Sequence, residues 1–283
     1  MKLLPCVLGL ALLSAVEGAA DQEFEVEEIT GIEYAAGPDY SGDRGELDLY
    51  LPEGAEGFPV LVSLHGGGLL QGDKSEETHI GRRFASEGVG TVVINYRLSP
   101  AVSHPAHIED VAKALSWVRD NIGEHGGDPD HLFVMGHSAG GYLTGLIATD
   151  ARYLEAEGLS LDSLAGAIPV SGFFYVDEVA PDRDESVWGT DPQVWVDASP
   201  HTHLRADAPS MLLLYADGDA DWRREQHERF ARDLRDAGHP DVDIREFPDR
   251  SHSGIWSGMA DPDRVSGAVI DFIRERVRGA GRP

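Results

Sequence analysis

The stretch from His131 to Asp150, HLFVMGHSAGGYLTGLIATD, constrains the fold more than any other part of the chain. Leu132, Phe133, Val134 and Met135 form the short apolar run of a parallel strand covered on both faces. Gly136-His137-Ser138-Ala139-Gly140 then reads as a sharp turn, and small and apolar residues continue as a helix. So tight a turn strains the serine backbone and tolerates only tiny neighbours. Glycines two before and two after Ser138 therefore let strand and helix approach closely, and Gly141 helps. The Ser138 hydroxyl is held up at the carboxyl edge of a sheet, above the partial positive charge of a helix N-terminus. In a chain of 33 glycines the G-x-S-x-G pattern alone is weak, so its setting and its partners must carry the argument.

A serine hydroxyl becomes a useful nucleophile only when a base takes its proton and a carboxylate orients the base. Among the late histidines (His201, His203, His227, His239 and His252), His252 sits in D-R-S-H-S-G just after the last strand-like run and is the candidate base. The acid belongs in the loop after the apolar run ending at Tyr215, which reads A-D-G-D-A-D. Asp217, Asp219 and Asp221 all qualify by type. Asp219 is the best placed, since Asp217 is nearly still on the strand and Asp221 begins to look like a helix N-cap. Three glycines follow His65 at the end of another apolar run, where no Cβ keeps a ligand from the backbone. Gly67 and Gly68 are assigned as N–H donors to a developing negative oxygen, together with Ala139 after the serine. His65 reads as a hydrogen-bonding prop for that loop and His137 as a packing neighbour. His201 and His203 form an H-x-H without an evident third ligand, and the aspartate run imitates a calcium loop but has Trp222 where glycine is required. Neither a metal nor an organic cofactor is expected.

At 283 residues, with no repeat or linker and a hydrophobic fraction of 41%, the chain reads as a single α/β domain with a sizeable core. Residues 1 to 20 stand apart: Lys2, an apolar run from Leu3 to Leu13, then small residues from Ser14 to Ala20. This is the pattern of a secretory signal peptide, so residues 21 to 283 would form the mature domain in a secreted or periplasmic setting. Cys6, the one cysteine, lies within that leader, which leaves no disulfide or thiol chemistry afterwards. Fifty acidic against 23 basic residues give a net charge of −27. Such a surface disfavours nucleic acid and stable association with anionic membrane; it fits either salt adaptation or simple solubility. Oligomeric state is not legible.

In chain order, Glu23 to Tyr34 and Glu46 to Leu51 read as an antiparallel edge hairpin with one wet face. Buried strands are expected at Pro59 to Leu64, Thr91 to Tyr96, Ala165 to Val170 and Ser210 to Tyr215, with a half-buried edge strand at Val242 to Phe247. Helices are expected around His79 to Glu87, from Pro105 to about His125, and at Arg223 to Ala237 and Arg264 to Arg278. This alternation predicts a mostly parallel, twisted sheet with helices on both faces. Phe173 to Pro209, with Trp188 and Trp195 among turn residues, breaks the rhythm; it reads as a lid or pocket wall, or equally as a packed insertion with buried tryptophans.

Further marks are H-G-G-G at 65 to 68, G-D-K at 72 to 74, Y-R-L-S-P at 96 to 100, H-P-A-H-I-E-D-V at 104 to 111, G-G-D-P at 126 to 129, G-H-S-A-G-G at 136 to 141 and A-S-P at 198 to 200. On these the chain resembles the α/β-hydrolase superfamily, and within it the esterase and arylformamidase-like group that includes acetyl xylan and feruloyl esterases. The likeness covers nearly all of residues 45 to 278. It implies the α/β-hydrolase fold, Ser138 as nucleophile, Asp219 as acid, His252 as base, and Gly67, Gly68 and Ala139 as oxyanion donors. It further implies cleavage of a small-molecule or glycan-linked carboxylic ester through an acyl-enzyme. The same site would serve an arylformamidase or other amide hydrolase, and a catalytically silent binding member is the rival of another class. The chain departs from the family in carrying three aspartates in the acid loop. It also shows no large N-terminal helical cap, which implies an accessible pocket.

Overall fold

The computed structural model describes residues 23–280, so the leader read in residues 1 to 20 lies outside the described residues. Its strands are β1 (Val26–Glu33), β2 (Glu46–Pro52), β3 (Phe58–Leu64), β4 (Gly90–Ile94), β5 (Gly127–His137), β6 (Gly166–Val170), β7 (Met211–Gly218) and β8 (Val242–Ser251). They form one sheet in the order β1-β2-β4-β3-β5-β6-β7-β8. β1 and β2 pair antiparallel, as do β2 and β4; every pairing from β4 through β8 is parallel. The helices that frame the site are α1 (Thr78–Ser86), α2 (Ala106–Asn121) and α3 (Ala139–Thr149), with later helices Asp221–Asp236 and Arg264–Ala280.

The two-residue period of the central strands splits the core in two. Val60 and Val62 of β3, Val92 of β4 and Val134 of β5 join Val111 and Leu115 of α2 and Leu146 and Ile147 of α3 on one face. Leu61, Phe133 and Met135 alternate onto the other, against Ile80 and Phe84 of α1 and Val269 and Ile273 of the last helix. Helices cover both faces because both are apolar, which is why these strands read as continuous hydrophobic runs.

The N-terminal hairpin differs from expectation in one respect. β2 has no wet face: Leu47 through Pro52 are all buried, because α1 covers the side that the alternation assigns to solvent. Tyr50 lies so close to Gly81 of α1 that a Cβ there would come within 2.3 Å of its ring. Asp48 is buried with partners, accepting from the Gly31 N–H at 2.8 Å and from Lys74 Nζ at 2.7 Å.

The 173–209 segment folds into short helical turns packed on α3. Trp188 is buried and donates its indole N–H to the Tyr142 hydroxyl at 3.3 Å, and Tyr142 stacks on Phe173 with ring centres 4.8 Å apart. The Trp195 indole N–H donates to the Gly189 carbonyl at 3.0 Å. Both tryptophans are thus engaged within the fold.

Several of the sequence marks turn out to be one buried scaffold behind the glycine loop. Asp110 of α2 has a fully buried carboxylate that accepts from Arg97 Nε and Nη2 at 2.7 Å each, from the Arg97 backbone N–H at 3.0 Å and from the Tyr40 hydroxyl at 2.5 Å. A fork-to-fork pair of this kind offsets the desolvation of both ions only while both are present. Asp110→Ala strands the Arg97 guanidinium and should lower stability by about 3–5 kcal/mol; urea unfolding of wild type and variant measures it, and a loss below about 1 kcal/mol would mean the pair is dispensable.

Candidate active site

Ser138 stands between β5 and α3 with φ 55° and ψ −109°, a strained conformation for a residue with a side chain. Its N–H is tied to the Val170 carbonyl at 2.9 Å. The strain is held by close backbone contact on either side. A Cβ on Gly136 would lie 2.5 Å from the Gly140 backbone, and one on Gly140 would lie 2.1 Å from the Leu64 carbonyl oxygen. Strand β3, strand β5 and helix α3 meet here backbone to backbone.

The sequence-selected side chains converge on this turn from three separate loops. Ser138 Oγ is 3.0 Å from His252 Nε2, and His252 Nδ1 is 2.5 Å from Asp219 Oδ1. With the Nδ1 proton donated to the carboxylate, Nε2 is left as the acceptor for the serine proton. The Asp219 carboxylate is fully buried, and Oδ2 accepts from Ser171 Oγ at 2.6 Å and the Ala216 N–H at 3.0 Å. Burial alone would raise its pKa, but the hydrogen bonds from His252, Ser171 and Ala216 favour the charged form and hold it down at about 2. Asp219 is therefore a fixed negative charge at the back of the imidazole.

The other two aspartates of that loop do different work. Asp217 is exposed; its two oxygens accept the N–H groups of Asp249 and Arg250 at 3.0 Å each, fastening the end of β8 where Asp249 takes a φ of 61°. Asp221 is the first residue of helix Asp221–Asp236 and pairs with Arg224 at 2.6 Å, while Ala220 occupies the N-cap position expected for it.

Gly67 and Gly68 border the same cleft as Ser138 and His252, a cavity of about 650 Å³. Gly67 has φ 108°, and a Cβ there would lie 2.0 Å from the Gln71 carbonyl oxygen. Among the described residues the N–H groups of Gly67, Gly68 and Ala139 donate to no backbone carbonyl, so all three remain available. His65 stacks on Tyr96 at 4.2 Å beneath the loop, its carbonyl accepting the Tyr96 hydroxyl at 2.8 Å. His201 and His203 point to different carbonyls, of Phe174 at 3.2 Å and Asp197 at 2.7 Å. From the 173–209 segment, Arg183 alone lines the cleft.

Sequence reasoning missed a brace behind His252. His137 is more than a packing neighbour: its Nε2 donates to the His252 carbonyl at 2.8 Å. Burial lowers its pKa to about 4, so it is neutral and keeps this role at ordinary pH. The His137 ring stacks on Trp256, whose indole N–H donates to the buried carboxyl of Glu77 at 3.0 Å; Ser63 donates to the other Glu77 oxygen at 3.0 Å. No local pattern marks these contacts, since Trp256 and Glu77 are 179 positions apart.

The sheet order and the serine turn are those of the α/β-hydrolase fold. Residues 47–168, somewhat less than half of the chain, match the family model described as BD-FAE, and the chain is similar to esterases of that superfamily. It is 30% identical over 250 residues to the esterase LipQ of Mycobacterium tuberculosis, covering 82% of this chain and 59% of that protein. It is 32% identical over 233 residues to the probable carboxylic ester hydrolase LipM of the same organism, covering 77% and 54%. The chain thus spans little more than half the length of these curated relatives. Among solved structures, a truncated carbohydrate esterase from gut microbiota superposes with a TM-score of 0.75 at 21% identity, covering 92% of this chain and 99% of the other, a likeness of fold. A hyperthermophilic esterase from Pyrobaculum calidifontis superposes at 0.69 with 25% identity, covering 93% and 88%.

Two predictions follow from this geometry. Asp219→Asn keeps the shape but removes the fixed charge and the tautomer control, so hydrolysis of a nitrophenyl ester should fall by about 10⁴-fold. Asp217→Asn should cost less than about tenfold in rate, while losing one backbone hydrogen bond worth roughly 1 kcal/mol. Initial rates and thermal melts of both variants separate chemistry from folding; the large rate loss in Asp217→Asn instead would move the acid's role to that residue.

The second concerns Glu77, whose burial raises its pKa from an ordinary 4.5 to about 7, against the hydrogen bonds from Trp256 and Ser63. The folded state keeps this proton over a range in which the unfolded chain releases it. Its contribution to stability therefore falls as pH rises from about 4.5 to about 7, by roughly 3 kcal/mol. Glu77→Gln has nothing to ionise, and Ser63 can turn its hydroxyl to accept from the new amide. Urea midpoints measured across that pH window should converge on those of the variant at low pH and separate at high pH; parallel curves would refute the raised pKa.

Proposed function

We propose that the chain is a serine hydrolase that cleaves carboxylic esters through a covalent acyl-enzyme. The observation that carries this reading is the continuous contact from Ser138 Oγ to His252, 3.0 Å, and from His252 to Asp219, 2.5 Å, at a strained turn above a helix N-terminus. The printed names of LipQ and LipM, an esterase and a probable carboxylic ester hydrolase, support it over the part of those proteins that this chain matches. Export is part of the proposal and rests on the leader-like pattern of residues 1 to 20.

In this mechanism Ser138 Oγ attacks the ester carbonyl carbon while His252 Nε2 takes its proton. The carbonyl oxygen gathers negative charge, met by the N–H groups of Gly67, Gly68 and Ala139. Asp219, already ionised, stabilises the imidazolium without itself taking the proton. Collapse of the tetrahedral intermediate breaks the carbon–oxygen bond to the alcohol, and His252 gives that oxygen its proton. Water, deprotonated by His252, then attacks the acyl-serine, and a second collapse releases the acid and restores Ser138. His137, through the His252 carbonyl, keeps the base from swinging away between the two halves.

A fluorophosphonate probe should label the wild-type chain on Ser138, and Ser138→Ala should abolish labelling and lower kcat by on the order of 10³-fold or more with the fold intact. A folded Ser138→Ala protein with near-normal ester hydrolysis would sink the mechanism.

A further inference from the structure

The chain carries more than two acidic residues for each basic one, yet two arginines face the cleft beside Ser138. Arg223 is buried, and its Nη1 is spent on the carbonyls of Ser171 and Gly172, at 2.5 and 3.0 Å, which fixes the guanidinium in place. Among the described residues the carboxylate it reaches is that of Asp219, at 3.9 Å. That carboxylate is already occupied by His252, Ser171 and the Ala216 N–H. Arg183 comes from the 173–209 segment, is exposed, and forms no ion pair among the described residues. Burial disfavours the charge of Arg223, Asp219 favours it, and nearby Arg183 disfavours it further; both guanidiniums lie over the Phe173 ring, at 5.9 Å for Arg223 and 5.7 Å for Arg183. Two cations held near one another, one of them desolvated and without a carboxylate of its own, form an arrangement that an incoming anion would relieve. Glu76 and Glu77 also border the cleft, next to Trp256 at the start of α1, so an anion is welcome only on the arginine side.

We propose that the ester cleaved here carries a carboxylate on its acyl or alcohol part, bound by Arg183 and Arg223 while Ser138 attacks the ester carbonyl. The inference rests on the esterase reading above and names its substrate class. Arg223 is the preorganised half of the clamp, since its Nη1 is already anchored to the backbone beyond β6. Arg183 is the adjustable half, on a long side chain that swings in from the insertion. A neutral ester of the same length forgoes both charge-assisted contacts, so discrimination should fall mainly in KM.

The test compares the 4-nitrophenyl monoester of glutaric acid with 4-nitrophenyl valerate at pH 7.5. The two acyl chains are of equal length and end in a carboxylate or a methyl group. Wild type should favour the glutarate ester by about tenfold or more in kcat/KM. Arg183→Gln should bring the ratio of the two close to one, chiefly by raising KM for the glutarate ester, and Arg183→Lys should restore part of it. A merely structural role for Arg183 would move both esters together and leave the ratio alone, which would overturn the inference. A wild-type preference for valerate would overturn it without any variant. Hydrolysis of neither ester would instead overturn the esterase reading on which the proposal stands.

Discussion

The backbone contact between α3 and the ends of β3 and β5 sets everything else in the site. At Gly140 the room for a side chain is taken by the Leu64 carbonyl, and at Gly136 by Gly140 itself. Because strand and helix touch at this distance, Ser138 has no relaxed conformation available and is held at positive φ. The same contact brings the His65 to Gly68 loop, which continues β3, alongside the serine: a Cβ on Gly66 would lie 3.2 Å from His137 and 3.5 Å from the Ser138 Cβ. The strained serine and the free N–H groups are therefore consequences of one packing event.

A loop of glycines is soft, and it keeps its shape here because buried and half-buried charges stand behind it. Asp73 caps the turn leading to α1 through the Ser75 N–H, and its other oxygen takes Arg44 and Asn95, both at 3.2 Å. Arg44 also donates to the Gly72 carbonyl at 2.8 Å, and Lys74 spans Asp48 and Glu46 at 2.7 and 3.7 Å. With the Arg97–Asp110 pair, these contacts link the N-terminal hairpin, the glycine loop and α2. Networks of this kind reward completeness, since each unpartnered member would cost more than its bond contributes. The motifs that resemble a family over residues 72 to 111 are largely this scaffold, which is why they say much about fold and little about substrate.

On the opposite side, His252 is positioned by contacts to its backbone as much as to its ring. Asp217 fastens the end of β8, His137 holds the His252 carbonyl, and Trp256 presses on His137 while anchored to Glu77. Asp219 then needs only to meet Nδ1. Glu77 and Asp219 are both buried carboxyls, yet their proton affinities are pushed apart. Asp219 is met by a histidine and two further donors and stays charged, whereas Glu77 has two neutral donors and no cation to offset its desolvation.

The sequence by itself determined the strand and helix order, the parallel centre of the sheet and the turn at Ser138. These are local matters: apolar runs of the right length, and glycines where only glycine fits. It also singled out one late histidine as candidate base and, among three aspartates at alternate positions, favoured Asp219 as candidate acid, since both must lie in loops at the same sheet edge. Tertiary structure decided which aspartate turns inward, because Asp217, Asp219 and Asp221 differ only in which way successive residues point as the strand ends and the helix begins. It decided that β2 is buried on both faces, since no pattern within β2 reports that α1 will lie across it. It also set the brace of His137, Trp256 and Glu77, and the approach of Arg183 to Arg223. These join segments tens to hundreds of residues apart, and the chain carries no local record of a contact that exists only once the sheet has brought its loops to one edge.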